Sequence, residues 1–154
     1  MTTSGKSRNY AVAQSVLFCL FAVAVIFGPG PVLFGPGIAR LVGNALCAAG
    51  LVLMLLGVVA LREVIQVAPE PRVGGRLVTS GLYRRFRHPI YTGIVIVAAG
   101  LFLRRPTALV AIAAGVTIAF LVIKTRFEES LLQQRYPDYA EYRKRALGVI
   151  PWLT

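Results

Sequence analysis

The sequence predicts an all-α integral membrane helical bundle of about four transmembrane helices with a cytosolic C-terminal helix, forming a single domain over residues 1–154. Three observations carry that expectation. Hydrophobic residues make up 56% of the chain and charged residues 15%, with a mean hydropathy of +0.70, whereas soluble domains carry about 25% charged residues. Four uncharged apolar runs divide the chain. The 17 Lys and Arg, set against 6 Asp and Glu for a formal charge of +11, gather in some inter-run segments and avoid others. That unevenness is a topology signal. No aromatic stacking platform accompanies the basic residues, so a nucleic-acid partner is not expected.

The first span, about 10–27, is uncharged from Tyr10 to Phe27 and follows Lys6 and Arg8. It ends in Gly28-Pro29-Gly30-Pro31 and Gly35-Pro36-Gly37, a breaker-rich loop rather than a small-x-small cleavage site, so it reads as a retained span and not a signal peptide. The second span, about 38–61, is uncharged from Leu41 to Leu61. Its Gly43, Ala45, Ala48, Ala49, Gly50 and Gly57 permit close helix approach. The third, 90–103, offers only 14 residues from Ile90 to Leu103, about 21 Å of helix against a core of about 30 Å. Arg104-Arg105-Pro106 breaks it, and the fourth span, about 106–123, follows at once with an apolar run from Thr107 to Ile123, making a hairpin with almost no loop. The pattern contains no internal repeat, coiled-coil heptad or low-complexity tract. Cys19 and Cys47 lie inside apolar runs as packing residues, implying neither a disulfide framework nor a metal site.

Four spans place both termini on one side. The N-terminal segment, the segment Arg62–Arg87 and the segment after Ile123 hold 14 of the Lys and Arg, leaving only Arg40, Arg104 and Arg105 on the other side. The positive-inside rule then puts both termini and the central loop in the cytoplasm. Without an organelle address, a bacterial inner membrane is the expected location.

Two polar segments, about 74–93 and 124–151, share that cytosolic face, so chemistry is expected where they meet. The first contains the only histidine, His88, followed by Pro89 in a position suited to the first turn of the third helix. A missing N–H costs nothing there, and the free amides behind it can receive a carboxylate. The second contains Glu128 and Glu129, about one turn beyond the fourth span. They read either as a solvated helix end paired with Lys124 or Arg126, or as charges with a task at an expensive depth. Arg84, Arg85 and Arg87 are equally read as a topology signal, and Tyr83, Tyr91, Tyr136, Tyr139 and Tyr142 as interfacial aromatics.

Taken together, Gly81-Leu82-Tyr83, Arg87-His88-Pro89-Ile90-Tyr91-Thr92-Gly93, Glu128-Glu129-Ser130-Leu131-Leu132 and Tyr139-Ala140-Glu141-Tyr142-Arg143 closely resemble the isoprenylcysteine carboxyl methyltransferase family, related to the phospholipid N-methyltransferases. The resemblance runs from about Arg76 to Pro151. It implies a membrane methyltransferase that binds S-adenosylmethionine at the cytosolic face and acts on a lipophilic or lipid acceptor. Carried over residue by residue, the cofactor contacts fall on Tyr83, Arg87, His88, Pro89, Ile90, Tyr91, Gly93 and Glu128. Glu129, Lys124 and Arg126 are the candidate catalytic residues. The prenylcysteine enzymes have an arginine for the substrate carboxylate where this chain has Lys124, a point charge in place of a bidentate fork. Arg126 lies about 200° away on a helix. Gly93 would admit either the cofactor or a neighbouring helix. Methyl transfer from a sulfonium needs alignment and water exclusion, and an amine acceptor would also need a base such as Glu129 or a substrate phosphate. Two other classes stand beside this reading: a non-catalytic membrane scaffold, and a nicotinamide-dependent reductase like the steroid 5-alpha-reductases.

Overall fold

The computed structural model describes residues 3–35, 37–61 and 77–149. The expected site residues Gly74 to Arg76 and the segment's end at 150–151 lie outside these. The elements are α1 (Thr3–Phe27), α2 (Gly37–Leu61), a 3₁₀ turn (Gly81–Arg84), α3 (Pro89–Arg104), α4 (Ala108–Arg135) and α5 (Tyr139–Arg145). α1, α2 and α4 are long and apolar enough to cross a membrane, and α3 is a shorter apolar helix of 16 residues, about 24 Å long. Large apolar side chains such as Ile38, Leu41 and Leu55 are exposed along them, as a lipid-facing surface requires.

Two boundaries depart from the sequence expectation. α1 starts about two turns before its apolar run, and α4 does not stop where its apolar stretch ends at Ile123 but continues to Arg135. Lys124, Arg126, Glu128, Glu129 and the glutamines beyond are strong helix formers, so hydropathy changes there while helical propensity does not. The membrane-spanning part of α4 is therefore 108–123, and 124–135 is its polar extension. The separate C-terminal helix is only the 7 residues of α5.

α2 and α3 pack antiparallel along a seam of glycines. A Cβ on Gly43 would lie 2.7 Å from the Gly100 carbonyl oxygen, one on Gly50 2.7 Å from that of Gly93, and one on Gly57 2.9 Å from Ile90. Gly43, Gly50 and Gly57, and likewise Gly93 and Gly100, recur every seven residues. The seam thus repeats every seven residues through missing side chains, without the large apolar residues of a coiled coil. α1 runs antiparallel to α4. Near one end Tyr10 packs on Phe120 and Phe127, with centroids at 6.0 and 4.9 Å, and farther along Phe21 joins Ala98 of α3 and Val110 and Ala114 of α4 in a buried cluster.

Arg105, counted in the sequence only as a charge, holds the far end together. Its guanidinium donates to the carbonyls of Val25 and Ile26 at 2.6 Å and of Gly28 at 2.7 Å, satisfying the last carbonyls of α1 and opposing its dipole. Beside it the Leu33 N–H donates to Pro106 O at 2.7 Å, and Thr107 caps α4 by accepting from Val110 N at 3.4 Å. The start of α1, the end of α2, the start of α3 and the polar extension of α4 all meet at the opposite end.

Candidate functional site

The segment before α3 is shaped by a turn and then clamped from outside. Gly81, at φ +57°, opens the 3₁₀ turn in a conformation that L side chains rarely adopt. The turn buries Tyr83, whose hydroxyl donates to Gly57 O at 3.4 Å. The chain then pairs with the segment after α5: Arg87 N–H donates to Leu147 O at 2.8 Å, and Leu147 N–H to Arg85 O at 2.9 Å. Tyr142 on α5 donates its hydroxyl to Tyr83 O at 2.5 Å, and Thr92 Oγ1 reaches both His88 O at 3.1 Å and Val149 O at 3.4 Å. Arg87 and His88 are thereby held at the mouth of α3, with His88 as its N-cap and Pro89 at the first helical position, as the sequence suggested.

Glu128 and Glu129 enter from α4. Glu129 Oε1 lies 3.3 Å from Arg87 Nε and 3.3 Å from His88 Nε2, while its Oε2 lies 3.4 Å from Arg143 Nε. Glu128 Oε1 accepts from the Tyr91 hydroxyl at 2.7 Å and lies 3.5 Å from Lys124 Nζ. Its Oε2 is 3.9 Å from His88 Nδ1. The imidazole therefore stands between the two carboxylates, stacked on the Tyr91 ring at 5.7 Å and 9°. Lys124 Nζ sits 5.2 Å above that same ring and contacts Gln14 Oε1, which brings α1 into the site.

Burial alone would push the Glu129 carboxyl up and is the largest single influence on it, but the His88 hydrogen bond and the charges of Arg87, His88 and Arg143 together hold it below the usual carboxylate range. It is an anchored anion. Burial raises the Tyr142 phenol to about 12 and those of Tyr83 and Tyr139 further still, so all three remain protonated at neutral pH, and Tyr83 and Tyr142 serve as donors.

Of the residues singled out from the sequence, Arg87, His88, Tyr91, Lys124, Glu128 and Glu129 converge, and Tyr83 lies behind them. Pro89, Ile90 and Gly93 face α2: Pro89 and Ile90 meet Gly57, and Gly93 meets Gly50 and Met54. The close neighbour that Gly93 admits is a helix. Arg126 is exposed and stands apart from the cluster. Tyr139 and Tyr142 are not interfacial aromatics, for they are buried with Ala146 at 1% and 8% exposure, against Leu77, Leu132 and Tyr136. Gln14 and Arg143 were missed as site residues. Arg143 sits one residue after Tyr142, in the same turn as the buried pair, and that spacing was the available signal; Gln14 is a lone polar residue in an apolar run.

The arrangement presents cations, carboxylates and phenols within one buried layer at the edge of the membrane. Residues 38–139 match the phospholipid methyltransferase family. The chain is also similar to protein-S-isoprenylcysteine O-methyltransferase B of Arabidopsis thaliana, at 26% identity over 96% of this chain and 76% of that protein. No solved structure matches it. The family match covers Arg87 and His88, all of α3 and the whole of α4, and so every convergent side chain singled out from the sequence, and the chain belongs to the phospholipid methyltransferase family.

Proposed function

We propose that the protein is an S-adenosylmethionine-dependent methyltransferase that acts on a lipophilic acceptor at the membrane surface, with the cofactor held by the His88 end of α3 and the acidic stretch of α4. The observation that carries this reading is the buried cluster in which Arg87, His88 and Lys124 surround Glu128 and Glu129. Its donor set fits the ligand. The amino-acid end of S-adenosylmethionine is a zwitterion, so its carboxylate can join Glu129 as a partner of Arg87 and His88 while its ammonium or ribose diol takes up Glu128. When bound, the sulfonium supplies an activated methyl group.

The chain's own residues then have positioning tasks. Glu129, held ionised by three basic side chains, is too weakly basic to be a strong proton acceptor, and serves to fix Arg87 and His88. Tyr91 and Lys124 close the side toward the apolar part of α4, where they exclude water from the reacting atoms. Lys124, braced by Gln14, is the cation nearest to an acceptor arriving from the bilayer, and would attract an acidic or phosphate-bearing headgroup. The acceptor class follows the relatives, lipid or isoprenylated. By the charge distribution the site end faces the cytoplasm, and the membrane proposed is a bacterial inner membrane.

Isothermal titration of nanodisc-held protein with S-adenosylmethionine and S-adenosylhomocysteine, beside Glu128→Ala, tests the reading. Micromolar binding that the variant loses is expected. Absence of binding by well-folded protein would overturn it.

A further inference from the structure

The far end of the bundle carries a second set of charges. Among the described residues every carboxylate, namely Glu128, Glu129, Asp138 and Glu141, belongs to α4's polar extension or to the region of α5. Among the described residues the three arginines at the far end therefore have no acidic counter-ion near them. All three, Arg40 from α2 and Arg104 and Arg105 from the end of α3, line a single cavity of about 330 Å³, together with Asn44, Val25 and Leu101. Arg105 is already oriented by the carbonyls of α1, which leaves the rest of its five-donor fork available. No hydrogen bond or ion pair engages Arg40 or Arg104 among the described residues. The Arg104 stem lies against Gly43, 2.9 Å from where a Cβ would stand, so the glycine seam holds one wall of the cavity in place.

We infer that this cavity is a phosphate-ester site, distinct from the His88 site and separated from it by the length of α3. Three guanidiniums match the tetrahedral, multiply accepting oxygens of a phosphate better than any neutral ligand, and Asn44 adds an amide donor. Arg40 and Arg104 are exposed and Arg105 is partly buried, so the ligand would be held by the number of guanidiniums rather than by a dry pocket. Such a site takes either the phosphodiester of a lipid headgroup, whose acyl chains continue down the bundle's apolar surface, or a free phosphate from solution.

The test uses the full chain, purified and delipidated in detergent, titrated separately with inorganic phosphate and with dihexanoyl phosphatidylglycerol. Arg40→Gln/Arg104→Gln is compared with Arg84→Gln/Arg135→Gln, which removes the same charge at the opposite end. Saturable binding that weakens about tenfold or more in the first variant and less than about twofold in the second is expected. Binding of the lipid alone identifies a headgroup site, and binding of both ligands a site for phosphate itself; either supports the assignment. Arg40 is exposed, so Arg40→Gln alone should leave the melting temperature unchanged and still weaken binding, which guards against misfolding of the double variant. Binding of neither ligand by folded wild type, or equal loss in both double variants, would overturn the assignment.

Discussion

The Tyr91 hydroxyl donates to Glu128 Oε1 over 2.7 Å, so the first turn of α3 and the polar extension of α4 are joined by a charge-assisted hydrogen bond in a half-buried setting. Tyr91→Phe keeps the ring under Lys124 and against His88 and removes only the donor. Hydrogen bonds to charged groups contribute about 1.5–3 kcal/mol. We expect S-adenosylmethionine affinity to fall about tenfold or more, read by titration calorimetry, while the circular dichroism spectrum is unchanged.

Glu129 should govern the acid limb of stability. Its folded carboxyl titrates below the usual range, so the stabilisation is present above the unfolded value and is lost as pH falls through the lower, folded one. The melting temperature of the wild type should therefore drop on acidification in that window. Glu129→Gln should already melt lower at neutral pH, because removing one partner of a buried ion pair costs about 3–5 kcal/mol. Its curve should be flatter on acidification, and a variant as acid-sensitive as the wild type would remove Glu129 from this role.

The glycine seam predicts opposite signs for chemically identical substitutions. Gly93→Ala places a Cβ 2.5 Å from Met54 Cγ and 2.7 Å from Gly50 O, an overpacking that costs about 1–3 kcal/mol. Gly115→Ala, in α4 with nothing within 4 Å, should instead be neutral or stabilising by about 0.5–1 kcal/mol through helix propensity. Thermal unfolding in one detergent measures both.

Arg105→Gln withdraws three hydrogen bonds from the end of α1. A melting temperature lowered by several degrees is expected, together with faster amide exchange in the last turn of α1 and none of that change at Tyr91. A uniform rise in exchange across the chain would mean that Arg105 is not a local cap.

The spans were legible because hydropathy is a sum over many residues, and the His88 and Glu128 strings because they combine chemically distinctive residues. The continuation of α4 past Ile123 was not, since a change from apolar to charged residues looks like an end when only hydropathy is followed. The glycines of α2 were legible as a close-packing face, but α3 as their partner was not, because Gly93 and Gly100 gain that meaning only from the backbone of Gly50 and Gly43 against which they lie. Tyr139 and Tyr142 look the same in sequence whether they lie at an interface or under a folded-back segment. Only the pairing of Leu147 with Arg85 and Arg87 decides between these. Gln14 could not be read at all, because its meaning comes from Lys124, 110 residues away.

The unbroken run of α4 makes the helix a ruler. Its 28 residues span about 42 Å, against a hydrocarbon core of about 30 Å. The acidic pair is thus carried on a rigid mast whose foot is set by bilayer thickness, and each residue inserted between Ile123 and Glu128 would lift the carboxylates about 1.5 Å and swing them about 100° away from His88. The height of the acidic pair above the lipid is therefore written into helix register, and membranes of different thickness would meet that pair at different depths.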